Sequence, residues 1–326
     1  MEKISRKYIP NKFGDKFSII KESRSFKEFY SLWENTKNKK PFMLGRLRVV
    51  ITNFCNLNCA YCFNEGVKKN ANFINPADLD FILKSINRKI KDIKITGGEP
   101  LLHPQIKEVI DICCKYKNTS ITTNGLLLKK FTAVLNKSKI DYIRLTLDRP
   151  YFENFRGGMI DSNKFNLIKG GIKSMAKPVA VNMVITKNNI NDIDNMITFC
   201  ENMGIKKLSL ISLIKFNKYI DSVYVSPLKI EEKLNKMSNS HKVVSNSRKS
   251  YQLKNIIVDL VWQYCTLGCN ICKTDGFIRV TTDNKFKYCL GEKTEISFKK
   301  ELNDRDSKGL MNKFDNAISK LGDFSN

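Results

Sequence analysis

Histidine is almost missing from this chain: there are two in 326 residues, His103 and His241. Neither has ligand-like company, so no histidine zinc site or Ser-His-Asp triad can be built. His103 reads as a loop residue rather than a proton carrier. Long apolar runs are missing too, and none approaches the ~20 residues that span a bilayer. The opening residues, MEKISRKYIPNKFGDKF, hold no apolar block of the kind a secretory signal needs. A cytoplasmic location with no membrane partner is expected. Internal repeats and low-complexity linkers are also lacking. Acidic residues are scarce, 32 against 57 Lys and Arg, for a net charge of +25. That surplus fits either a polyanionic partner or a Lys- and Asn-rich chain with lysines on every solvated face. The lysines run along the whole length, with no basic tail and no aromatic–basic signature, which favours the second reading and makes nucleic acid an unexpected partner.

What is present is enough apolar sequence, 42%, to bury a core. Apolar runs of strand length alternate with helical patterns. RLRVVIT (46–52), DIKIT (92–96), TSITT (119–123), DYIRLTLD (141–148), PVAVNMVIT (178–186) and KKLSLISLI (206–214) read as strands. Helical stretches at 76–90, 104–116, 129–138, 163–175 and 190–203 lie between them. Six strands with five intervening helices build an α/β fold with a parallel sheet. They are too few to close an eight-stranded barrel, so a partial (β/α)6 TIM barrel is expected, with an open doubly wound sheet as the alternative. Either arrangement puts chemistry at the C-terminal ends of the strands. Residues 1–45 form a basic, aromatic N-terminal extension with one helix near 25–36, and 46–225 the core. Residues 226–326 form a smaller module: a charged helix (228–239), a cysteine-rich segment and a last helix near 309–321.

Ten cysteines without a secretory signal point to metal or redox use rather than disulfides. Directly after the first strand comes CNLNCAYC, with Cys55, Cys59 and Cys62. A structural zinc wants four ligands, and no fourth Cys or His is near. A [4Fe–4S] cluster held by three thiolates keeps one iron open to chelate a substrate. CxxxCxxC resembles the signature of the radical SAM superfamily. The company it keeps strengthens the likeness: TGGEP (96–100) follows the second strand, TTNG (122–125) the third, and LTLD (145–148) ends the fourth. The resemblance implies a cluster that binds S-adenosylmethionine and, once reduced, cleaves it to a 5′-deoxyadenosyl radical that takes hydrogen from a substrate. It implies Tyr61, Gly97, Gly98, Glu99 and Thr146 as cofactor contacts, the glycines allowing close backbone approach. Flavodoxin or ferredoxin is the expected reductant.

A second set, Cys265, Cys269, Cys272 and Cys289, lies near the end. Zinc is one reading, since Cys269 and Cys272 form a CxxC, yet Cys289 is single. The layout is similar to the auxiliary-cluster module of the GTP 3′,8-cyclases of molybdenum-cofactor biosynthesis. It implies Cys269, Cys272 and Cys289 as ligands of a second [4Fe–4S] cluster, with TTDNKFKYCL as the turn and Asn284 replacing Gly. Cys265 is either a fourth ligand or, more in keeping with the pattern, a bystander. Cys113, Cys114 and Cys200 sit on apolar helical stripes and read as core.

The same resemblance implies phosphate-binding positions at Arg48, Lys94, Thr122, Lys187 and Arg279, with Phe277 standing where a further arginine is usual. The sixth-strand arginine of that group is Leu208 here, the auxiliary loop is longer and includes Asp275, and the chain ends KLGDFSN without a Gly-Gly tail. Two functions follow: hydrogen abstraction from a phosphorylated small molecule, with GTP the leading candidate, or modification of a ribosomally made precursor peptide. No general acid or base can be named.

Overall fold

In β1 (Leu44–Val50) Leu47 and Val49 alternate with Arg46 and Arg48, and both apolar residues are fully buried. The computed structural model describes residues 44–64, 72–151, 160–215, 218–238, 241–245, 247–262, 272, 276–290 and 294–321. The expected helix at 25–36 and Cys265, Cys269 and Asp275 lie outside the described residues. β1 is followed in register order by β2 (Ile90–Thr96), β3 (Asn118–Thr123), β4 (Tyr142–Thr146), β5 (Val179–Val184) and β6 (Lys207–Ile211), all parallel to their neighbours. These are the six strands the alternation predicts, each within a few residues of its expected bounds. The sheet is a curled, unclosed half-barrel, and its two end strands do not pair.

The C-terminal third extends this sheet at both edges. β9 (Ile257–Val261) adds parallel to β6, and β8 (Arg248–Gln252) and β7 (His241–Ser245) follow antiparallel. At the opposite edge β10 (Ile278–Val280) lies parallel to β1, followed antiparallel by β11 (Lys285–Lys287) and β12 (Glu295–Ser297). The resemblance foresees the β10–β11 hairpin; nothing in the sequence reading foresees β7 to β9. In the turn between β10 and β11, Asn284 adopts φ +61°, the left-handed conformation that asparagine tolerates better than other non-glycine residues.

One face of the sheet carries helices and the other is polar, because side chains alternate along each strand. Ile93, Ile95, Ile121, Ile143, Leu145, Val181 and Leu208 are fully buried on the helix side. Each such side chain contributes roughly 1.5–3 kcal/mol by leaving water. The helix Pro76–Ile86 shows how the local sequence cooperates. Asn75 caps it by accepting from the backbone of Ala77 and Asp78, Pro76 starts it, and Leu79, Ile82, Leu83 and Ile86 form one buried stripe. The last helix, Ser307–Ser319, packs on it and joins Phe314 to Phe286 and Phe298, with ring centroids 5.1 Å (Phe314) and 4.4 Å (Phe298) from Phe286. Cys113 and Cys200 are fully buried as expected, and burial pushes the Cys200 thiol up to about 12. Cys114 is half-buried against the same core.

His103 is a loop residue, as expected, and a buried one that pins two segments. Its Nε2 faces the Ile74 carbonyl at 2.9 Å, and its Nδ1 accepts from the Gln105 N–H at 3.1 Å, which assigns the Nε2–H tautomer. Burial holds its pKa below the ordinary 6.5. The unfolded chain therefore binds a proton that the folded chain resists, so stability contributed by neutral His103 is present above pH ~6.5 and is lost as pH falls through that value. A melting temperature that drops from pH 7.5 to 5.5 in the native protein, with a shallower slope in His103→Gln, is the expected outcome; equal slopes would contradict it.

Candidate radical SAM site

The cysteine loop leaves β1 and is held by the loop after β2. Gly98 N–H donates to Thr52 O and Glu99 N–H to Phe54 O, both at 2.8 Å. The contact is so close that a Cβ on Gly97 would stand 2.4 Å from Thr52 O, and one on Gly98 2.1 Å from Phe54 O. In this structure the two glycines are needed for the approach of backbone to backbone, directly beside Cys55. Glu99 is fully buried. Its Oε1 accepts from Leu101 N–H (3.1 Å) and Thr123 Oγ1 (2.8 Å), and its Oε2 from Asn124 N–H (2.7 Å). The carboxylate thus clasps TGGEP to TTNG, and Asn124 in turn reaches Asn56 in the cysteine loop at 2.8 Å.

Backbone N–H groups aim at the sulfurs: Leu57 N–H at Cys55 Sγ (3.4 Å) and Asn64 N–H at Cys62 Sγ (3.3 Å). Such bonds stabilise thiolate charge, and the three cysteines are partly or fully accessible. Burial raises the Cys55 thiol above its usual value, with Glu99 and Cys62 adding and the Leu57 and Asn124 donors opposing. Among the described residues no three Cys, His, Asp or Glu side chains stand as a preassembled metal site. The donor set nonetheless fits an iron–sulfur cluster: three soft ligands on one short loop, N–H donors on their sulfurs, and no competing histidine.

Tyr61, in the same loop, donates its hydroxyl to Asp148 Oδ2 at the end of β4. Asp148 is 2% exposed and its other oxygen accepts from Val184 N–H at 3.0 Å. Tyr61 also packs with Leu213, Ile220 and Val223. Thr146 lies on the polar face opposite Asn182. Loop, glycines, Tyr61 and Thr146 therefore gather at the C-terminal ends of β1, β2 and β4.

Below them the polar face carries a row of cations. Lys287, Arg279, Arg48 and Lys94 occupy consecutive register positions on β11, β10, β1 and β2. Lys94 is 9%, Arg279 2% and Lys287 3% exposed. The Phe277 ring lies under both guanidinium groups, with its centroid 3.8 Å from Arg48 and 4.5 Å from Arg279. Burial, reinforced by Arg279, holds the Lys287 ammonium below the usual lysine range against the pull of Glu295. Thr122 stands on the same face of β3. Lys187 does not join this row: it is exposed at the rim and donates to Ser222 O at 2.9 Å. Leu208 faces the helices, and Lys207 of β6 is taken up by Asp259 at 3.1 Å. Cys272 and Cys289 are half-buried; the Cys272 carbonyl accepts from Gly276 N–H at 3.0 Å, and Cys289 follows β11.

Sequence reasoning missed Lys287, Asp148 and Arg144. Arg144 is the one with a readable signal, a cation in the middle of an apolar strand.

The radical SAM superfamily profile matches residues 49–215, half of the chain. A probable GTP 3′,8-cyclase of Methanococcus aeolicus is 31% identical over 257 residues, covering 75% of this chain and 84% of its own. One from Sulfurisphaera tokodaii is 30% identical over 259 residues, covering 75% and 80%. Among solved structures, Streptococcus suis SuiB bound to S-adenosylmethionine superposes with a TM-score of 0.60 at 18% identity, over 86% of this chain and 70% of that one. At that identity the likeness is one of fold. The cysteine loop, its glycine clasp and the profile agree, and the chain belongs to the radical SAM superfamily.

Proposed function

We propose that this radical SAM enzyme abstracts hydrogen from a phosphorylated small molecule, with GTP the leading candidate. The observation that carries the reading is the row of Lys94, Arg48, Arg279 and Lys287 across four strands, with Arg48 half-buried and the other three buried. Neighbouring strands are ~4.8 Å apart, so these like charges repel one another, and a bound polyanion relieves the repulsion. Arginine forks suit phosphate oxygens, and a low-dielectric floor strengthens the contact. The similarity to proteins named as GTP 3′,8-cyclases supports the nucleotide.

Cys55, Cys59 and Cys62 would hold the [4Fe–4S] cluster, which with S-adenosylmethionine supplies reductive cleavage of the sulfonium and the hydrogen abstraction that goes with it. Tyr61, Gly98 and Thr146 would line the methionine and adenosine portions. Glu99 would act by holding the glycine loop and TTNG together. Asp148 would fix the Tyr61 ring. Cys269, Cys272 and Cys289 would bind an auxiliary [4Fe–4S] cluster, Cys289 lying two residues beyond Lys287 of the cationic row. A basic surface of net charge +25 suits an acidic flavodoxin or ferredoxin as reductant.

The test is anaerobic reconstitution, reduction, and quantification of 5′-deoxyadenosine with and without GTP. Strong stimulation by GTP, with a product of unchanged GTP mass, is expected. Cleavage that ignores GTP would remove the nucleotide and favour a peptide substrate, the class bound by the structural neighbour SuiB in its complex with precursor peptide SuiA. Arg48→Gln should raise KM about 10- to 100-fold, with a smaller change in kcat, since a charge-assisted phosphate bond is worth ~1.5–3 kcal/mol. Steady-state kinetics over a wide GTP range check this, and an unchanged KM would exclude Arg48 from binding.

A further inference from the structure

We infer that Arg144, which the motifs do not single out, is the opposing wall of the anion site and grips the same substrate polyphosphate from the side of β4. The inference rests on the phosphate reading above. Arg144 is 6% exposed on the polar face, and its guanidinium meets Asn182 Oδ1 (3.2 Å), Ser209 Oγ (3.3 Å) and the Tyr142 side chain. None of these is a carboxylate. Asp259, an acid on that face opposite Ser209, is held by Lys207 (3.1 Å) and Arg248 (3.5 Å). A buried guanidinium with only neutral acceptors is costly unless an anion completes it.

A second, independent feature points the same way. Thr122 stands in register with Arg144 on β3, and its buried Oγ1 has no hydrogen-bond partner. The inward residues of β3 are thus the small hydroxyls Ser120 and Thr122, with Lys94 in register on one side and Arg144 on the other. This is a trough with a hydroxyl floor and cationic walls. Lys94 is in register with Ser120 and Arg144 with Thr122, so the walls stand two strand spacings across and two residues along, ~12 Å, a span that suits a di- or triphosphate better than a single phosphate. Arg144 also brings a charge to Ser209 on β6, the strand on which Leu208 turns away.

The probes are inorganic tripolyphosphate and GTP, measured by anaerobic titration calorimetry on cluster-loaded protein at physiological ionic strength. Arg144→Gln is expected to weaken both about tenfold or more, the loss of one charged hydrogen bond. Thr122→Val should weaken them severalfold without lowering the melting temperature, because the hydroxyl bonds nothing in the protein. Arg305→Gln, whose guanidinium is engaged with Asp78 at the surface, should bind as the native protein does. Binding unchanged in Arg144→Gln overturns the inference and leaves the phosphate reading intact. If Arg144→Gln does not fold, unchanged binding in Thr122→Val overturns it instead. Native protein that binds neither probe overturns both.

Discussion

Cys59→Ala is expected to abolish cleavage of S-adenosylmethionine, not merely to slow it. The three cysteines lie on one loop between β1 and the helix Pro76–Ile86, and that loop's sequence holds no histidine or fourth cysteine to replace a lost ligand. The loop cannot slide to recruit one, because its backbone is bonded to Gly98 and Glu99 at Thr52 O and Phe54 O. Two thiolates do not retain a four-iron cluster against chelation. Iron and sulfide content should fall by one four-iron cluster, and 5′-deoxyadenosine to the level without enzyme. Cleavage at the native rate would refute the assignment of this loop.

Gly98→Ala has the next largest expected effect, although it removes no cysteine. The new Cβ would stand 2.1 Å from Phe54 O and 3.0 Å from Cys55 Cβ, and the first of these is backbone that cannot rotate away. Overpacking of this kind costs about 1–3 kcal/mol or more and must be relieved by moving one loop off the other. Both 2.8 Å bonds between the loops would then lengthen, and Cys55 would shift with Phe54. Reconstitution should yield severalfold less cluster in the first loop while far-ultraviolet circular dichroism stays native. Gly45→Ala provides the contrast, since its Cβ would meet nothing within 4 Å. Equal cluster yields in the two variants would show that the close approach of the loops is not what holds the cysteines in place.

The core sheet was legible because both of its faces have strong chemical signatures. Ile93, Ile95, Val181 and Leu210 face helices, so their strands read as apolar runs bounded by turn residues. The site was legible where spacing is fixed by covalent geometry and by ligand count, at CNLNCAYC and TGGEP. β7 and β8 were not legible, because HKVVS and RKSYQ carry lysines that sequence reasoning assigns to solvent. Lys249 is in fact buried at the sheet edge and donates to Glu231 at 2.6 Å, and a buried ion pair erases the apolar pattern that marks a strand. Glu99 was recognised as part of a motif, but two of its three acceptor bonds come from Thr123 and Asn124, which only folding brings beside it. Arg144 was visible as a letter in DYIRLTLD. That it lacks an acidic partner is a property of β5 and β6, not of its own strand.

The most direct test of the account uses GTP deuterated at its carbon-bound positions, supplied to the reduced, cluster-loaded enzyme with S-adenosylmethionine. A phosphorylated substrate held in the cationic row below Thr146 should give up its deuterium to the cofactor fragment. The account predicts deuterium in the 5′-deoxyadenosine recovered. Turnover that yields only unlabelled 5′-deoxyadenosine would contradict it.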